Sequence, residues 1–95
     1  MTKHKYELTV IFRNSTAEES KKNYKEILSK REATVLTEEE WGHKKLAYAI
    51  DDQTEAYYLF NVIEADPSAV KKIENDLNLD SNVLRHMFIR LEKSA

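Results

Sequence analysis

His4, His43 and His86, the adjacent Asp51 and Asp52, the run Glu38 to Glu40 and the lysine pair behind Gly42 are the side chains through which this chain could do chemistry. A metal centre needs ligands that converge, and structural zinc sites announce themselves by short Cys and His spacings. The three histidines instead fall on or beside three separate strand-like segments, and the chain has no cysteine. No metal site is expected. The carboxylates are neighbours in sequence only, as in any solvated acidic turn, whereas acid–base catalysis needs groups placed together against a substrate. A phosphate-cradling loop needs several glycines at a helix start; here the single glycine, Gly42, precedes lysines and a strand. The reading is therefore not an enzyme, with no cofactor and no small-molecule substrate. Binding chemistry remains. The segment EEWGHKKLAYAI, residues 39–50, holds the only glycine and the only tryptophan and sets Lys44 and Lys45 beside an apolar run. Lys3 and Lys5 flank His4, and Arg85 and Arg90 lie near the far end, so these six cations are the candidate nucleic-acid contacts.

The elements that must position them are legible. KYELTVIF alternates, with Tyr6, Leu8, Val10 and Phe12 on one face and Lys5, Glu7, Thr9 and Ile11 on the other, as a half-buried strand does. A helix follows to about Arg31, with Ala17, Tyr24, Ile27 and Leu28 on one face and a capping box from Ser15 with Glu18 or Thr16 with Glu19. Residues 33–39 and 44–50 read as one long strand bent or bulged at Gly42. After an acidic turn, AYYLFNVIE is the most apolar strand. Asp66 and Pro67 open a second helix with Val70, Ile73 and Leu77 as its buried stripe, and Asn78 is placed to take a left-handed turn at its end. Residues 83–91 form the last strand, and the final residues a short tail.

This order predicts an α+β, ferredoxin-like split βαβ sandwich, βαββαβ, with a four-stranded antiparallel sheet and two helices on one face. Ninety-five residues suit a single domain spanning 1–95, ordered over about 3–92. Leu8, Val10, Ile27, Leu28, Ile50, Ile63, Val70, Ile73 and Leu77 should form the core. The N-terminus reads as a strand rather than a signal peptide, no segment is apolar enough to span a bilayer, and the lack of cysteine suits a reducing compartment. With 15 basic against 17 acidic residues, indiscriminate nucleic-acid binding is not expected.

Both helices cover one side of such a sheet, so the other should turn polar. It does so only in part: with Leu59 and Ile63 inward, Tyr58, Phe60 and Val62 point outward, joined by Ile11 and by the Met87 and Ile89 region. Contiguous exposed apolar surface marks an interaction site, and these six residues are the expected partner-binding face. The basic residues could gather at one edge and end of the sheet. Sheet aromatics beside cations suit RNA, but AYYLFNVI lacks the glycine–aromatic signature of an RNA recognition motif. Small acyl-phosphate hydrolases share the sandwich with a glycine-rich, arginine-bearing loop after the first strand; here that loop has Arg13 without the glycines.

KYELTVIF, EEWGHKKLAYAI, YYLFNVIEADPSAV and LNLDSNVLRHMFIRLEK together resemble the bacterial small-subunit ribosomal protein S-six family, end to end and in order. Gly42, Lys44, Lys45, Leu46, Ala47, Tyr48 and Ile50 stand at that family's characteristic block; Ala49 replaces a frequent proline, and no long acidic tail follows Lys93. The resemblance implies a cytoplasmic component of the small ribosomal subunit that binds the central domain of small-subunit ribosomal RNA jointly with ribosomal protein S-eighteen, as a heterodimer. The apolar face would then meet protein and the basic edge phosphate, with Tyr48 packing rather than stacking. A self-associating ferredoxin-like regulatory or ligand-binding domain is the alternative.

Overall fold

In a computed structural model, residues 3–50 and 52–91 are described. The strands are β1 (His4–Arg13), β2 (Thr34–Ile50), β3 (Gln53–Ala65) and β4 (Val83–Arg90), and the helices α1 (Ala17–Lys30) and α2 (Pro67–Leu79). The sheet order is β2-β3-β1-β4, antiparallel throughout. That is the ferredoxin-like sandwich expected from the element order. The tail at 92–95 and Asp51 of the acidic turn lie outside the described residues.

Alternation places Tyr6, Leu8, Val10 and Phe12 of β1 under the helices, opposite Tyr57, Leu59 and Ile63 of β3, where Tyr24, Leu28, Val70, Ile73 and Leu77 close the core. Ile27 is only partly buried at its margin. Ile50, expected in the core, is half-buried because it pairs only with Gln53 at the tip of the β2–β3 hairpin, beyond the last β1–β3 pair. Asn61 also points into the core, fully buried, its amide facing the buried Tyr24 hydroxyl. Burial holds the Tyr24 hydroxyl well above the ordinary phenol range.

The helix ends differ in part from expectation. Asp66 caps α2, accepting from the Ser68 amide at 3.0 Å, with Pro67 at the first turn. Those Ser68 hydrogen bonds, backbone first, keep the Asp66 carboxyl below its usual range. The capping box at α1 does not form: Thr16 makes no side-chain cap bond, and instead its hydroxyl accepts from Ser20 at 3.4 Å. Asn78 stays helical, because α2 runs on to Leu79 and ends at Asp80 in extended conformation. A left-handed residue closes α1 instead. Glu32, at φ 59°, lets the Ala33 amide reach back to the Leu28 carbonyl at 2.9 Å, the bonding pattern of a Schellman end.

Arg31 then grips Asp76 on α2 through two bonds of 2.8 and 3.0 Å. The guanidinium holds the Asp76 carboxyl below the usual carboxylate range. A depressed folded value means the pair stabilises above the unfolded pKa, about 3.9, and that this is lost as pH falls through the folded value. Asp76→Asn is therefore expected to flatten the acid limb of stability against pH below about pH 4.5, read as urea midpoints, with little change in limb shape overturning the assignment.

Candidate nucleic-acid and partner interface

The side of the sheet away from the helices is built in rows, because directly paired residues share a face. One row reads Gly42, Tyr58, Ile11, Arg85; the next Glu39, Phe60, Thr9, Met87; the next Thr37, Val62, Glu7, Ile89. The six residues expected to bind a partner thus all share this open face. Parity of the last strand is settled by pairing: Met87 lies opposite Thr9, while Phe88 lies opposite buried Leu8. Met87 and Ile89 are 57% and 48% exposed, so the patch is open to solvent rather than covered by the chain itself.

Trp41 belongs to this face, although sequence reasoning did not place it there. The β2–β3 register shifts between Glu40 and Gly42, so Trp41 is the extra residue of a bulge. Its ring stacks on Phe60, centroids 5.2 Å apart and planes within 4°. The Lys44 ammonium sits 5.7 Å from the Trp41 ring. The only tryptophan beside the only glycine was the available signal. Gly42 has φ +78° and nothing within 4 Å of where a Cβ would be, so backbone conformation, not close approach, requires glycine. Gly42→Ala should accordingly cost roughly 1–2 kcal/mol, the penalty of a left-handed L-residue, measured by chemical denaturation; a neutral result would mean the bulge relaxes.

The basic residues do not gather at one edge and end. β2 and β4 are opposite edges of the sheet, separated by two strands. Lys3, Lys5 and Arg90 lie at one end of the sheet, at the start of β1 and the end of β4, but Lys5 shares the open face while Arg90, opposite Tyr6, lies on the helix face and donates to a ring nitrogen of His4 at 3.0 Å. At the other end, Lys44 pairs with Ala56, which pairs with Arg13, one row beyond Arg85 and Ile11. Lys44, Arg13 and Arg85 thereby rim one end of the apolar patch. Arg13, considered from the sequence only as a loop residue, ends β1 and donates to the Ser81 carbonyl at 2.9 Å. Lys45 projects from the helix side opposite Glu55.

On the helix side of β2, Glu38 and Glu40 are already matched. Lys21 binds Glu40, the Tyr57 hydroxyl donates to Glu40 at 2.9 Å, and Lys25 lies 3.4 Å from Glu38. The Lys21 hydrogen bond lowers the Glu40 pKa, and the same bond raises that of Lys21. His43 contacts Asn14 and meets the Tyr57 ring edge-on. No group of three or more metal-ligating side chains occurs among the described residues, and no helix among them is long and apolar enough to cross a membrane. The hairpin from Lys45 to Glu55 extends past the sheet with Tyr48 68% exposed, so the expected packing of Tyr48 within this chain is not found.

An antiparallel sheet with two helices on one face and a partly apolar, basic-rimmed second face defines a binding protein of the ferredoxin-like class. The family model for Ribosomal protein S6 matches residues 5–90. Small ribosomal subunit protein bS6 of Dehalococcoides mccartyi is 37% identical over 92 residues, covering 93% of this chain and 84% of the relative. The bS6 of Leptospira biflexa is 35% identical over 85 residues, covering 90% and 93%. The crystal structure of 30S ribosomal protein S6 from Thermotoga maritima superposes with TM-score 0.83 at 23% identity, over 95% of this chain and 89% of that one, and supports the fold. The chain belongs to the Ribosomal protein S6 family. It is a structural protein of the small ribosomal subunit in the bacterial cytoplasm, and the family is not enzymatic.

Proposed function

We propose that this chain binds the central domain of small-subunit ribosomal RNA together with ribosomal protein S-eighteen, as a heterodimer. The open sheet face meets the protein, and the cations at its rim and ends meet phosphate. The observation that carries this reading is the single apolar surface of Ile11, Tyr58, Phe60, Val62, Met87 and Ile89 with Trp41, bordered by Lys44, Arg13 and Arg85. An apolar centre with a charged rim is the anatomy of a protein interface, while exposed lysines give affinity and position rather than base specificity. At the opposite end, Lys3 and Lys5 at the start of β1 and Arg90 on the other face of the sheet supply further phosphate contacts. Membership of the family takes away the reason to read the chain as a self-associating regulatory or ligand-binding domain.

With a net charge of −2 the chain alone should bind RNA weakly. S-eighteen is expected to raise affinity for central-domain RNA at least tenfold, about 1.4 kcal/mol of coupling. Within that complex, Lys44→Ala with Lys45→Ala should weaken binding and reduce its salt dependence by a slope of roughly 0.7–0.9 for each phosphate no longer neutralised. Dissociation constants across a salt series read both effects. Equal RNA affinity with and without S-eighteen sinks the joint site; an unchanged slope removes the two lysines from the phosphate-binding surface.

A further inference from the structure

The open face carries charge inside its apolar patch as well as at its rim. Its rows run Thr34, Glu64, Lys5, then Thr37, Val62, Glu7, Ile89, then Glu39, Phe60, Thr9, Met87, before the rows of Arg85 and Lys44. Lys5 stands directly opposite Glu64, so that carboxylate has a cation beside it. Glu7 has no cation in its row. It is half-buried between Val62 and Ile89, within the apolar patch. Glu39 ends the next row beside Phe60, exposed at the sheet edge. Neither carboxylate forms an ion pair among the described residues. Further along the face the charge changes sign, at Arg85 and at Lys44, which rests over Trp41.

Covering this face with protein takes both carboxylates out of water. Desolvating a carboxylate without a counter-charge is strongly unfavourable, so a purely apolar surface is a poor occupant despite the apolar patch. We propose that the partner segment seated on this face is basic, and that Glu7 and Glu39 each receive one of its lysine or arginine side chains. The two positions lie two strands and two residues apart, about 12 Å between Cα atoms. Two turns of helix rise about 11 Å and four residues of extended chain about 13 Å, so one continuous segment spans both. The cations at Arg85 and Lys44 repel the same segment from the other end, so the charge order also sets which way it lies. The inference rests on the reading that the open face meets a protein, and it names the residues that select the occupant.

S-eighteen binding to the full chain, measured by titration calorimetry, should weaken roughly tenfold in Glu7→Gln and roughly fivefold in Glu39→Gln, each of which removes charge at nearly constant shape. Glu26→Gln, at an exposed carboxylate on α1, should bind like wild type. Wild-type binding should also depend more steeply on salt than that of the Glu7→Gln, Glu39→Gln double variant. Circular dichroism and urea midpoints check folding, and Glu39, exposed at the edge, carries the test if Glu7→Gln does not fold. Phe60→Ala separates this inference from the reading beneath it. Weaker binding by Phe60→Ala, with both glutamine variants binding like wild type or tighter, keeps the face as the interface and overturns the basic occupant. Wild-type binding by all three variants removes the open face as the interface, and the inference with it.

Discussion

Ile73→Ala is expected to destabilise this protein by about 2–5 kcal/mol, a large part of the total stability of a small domain. Ile73 is fully buried on α2, between Val70 and Leu77 of the same stripe, facing the β1–β3 core. Truncation removes three carbons from the apolar interior and leaves a cavity lined by Leu, Ile and aromatic side chains that cannot all move in. The strands beneath are locked by their own ladder, so collapse is limited and the cost should fall well above the lower bound. Urea denaturation of wild type and variant, with m unchanged, gives the difference directly. A loss below about 1 kcal/mol would mean that α2 shifts on the sheet to close the space, and that the helix–sheet packing is softer than its burial implies.

The second large effect lies on the other side of the sheet. Phe60→Ala should weaken S-eighteen binding by about 2 kcal/mol or more, roughly thirtyfold, because a buried aromatic at the centre of an interface is a hot spot. Phe60 occupies the middle row between Thr9 and Glu39 and carries the Trp41 ring on its face. Removing it takes away both its own interface area and the platform that orients Trp41. Folding should suffer less, since Phe60 points away from the core and its cross-strand pairs contribute about 0.2–1 kcal/mol each. The only tryptophan is in the patch, so its fluorescence reports partner binding without a label. Wild-type affinity in a folded Phe60→Ala variant would place the protein interface elsewhere on the molecule.

Much of this was legible in the chain because local rules and tertiary demands agree. Strict alternation in β1 put Leu8 and Val10 inward and Ile11 outward, and it remained correct because both edges of that central strand have neighbours. Asp66–Pro67 opened α2 as its chemistry dictates. The readings that did not survive depended on position in three dimensions. A capping box at α1 is a valid local option, but a short 3₁₀ turn from Asn14 to Thr16 precedes the helix, and Thr16 takes a different partner. Ile50 is as apolar as Ile63, yet one is half-buried on a projecting hairpin and the other is under two helices. Tyr48 is exposed for the same reason.

Residue types and spacing by themselves determined the element order, the fold class, the parity of the first and third strands and the bulge at Gly42. Each follows from short-range physics: a period of two against one near 3.6, a proline that cannot donate, and a glycine free to take positive φ. Only the tertiary structure decided which cations stand together. Strand order, not sequence distance, set Arg13 and Lys44 one row from Arg85 and sent Lys3, Lys5 and Arg90 to the opposite end. The bulge, once placed opposite Leu59 and Tyr58, turned Trp41 onto Phe60 and brought Glu39 and Lys44 to one face. Those juxtapositions come from hydrogen-bonded register between segments far apart in the chain, which no local pattern encodes.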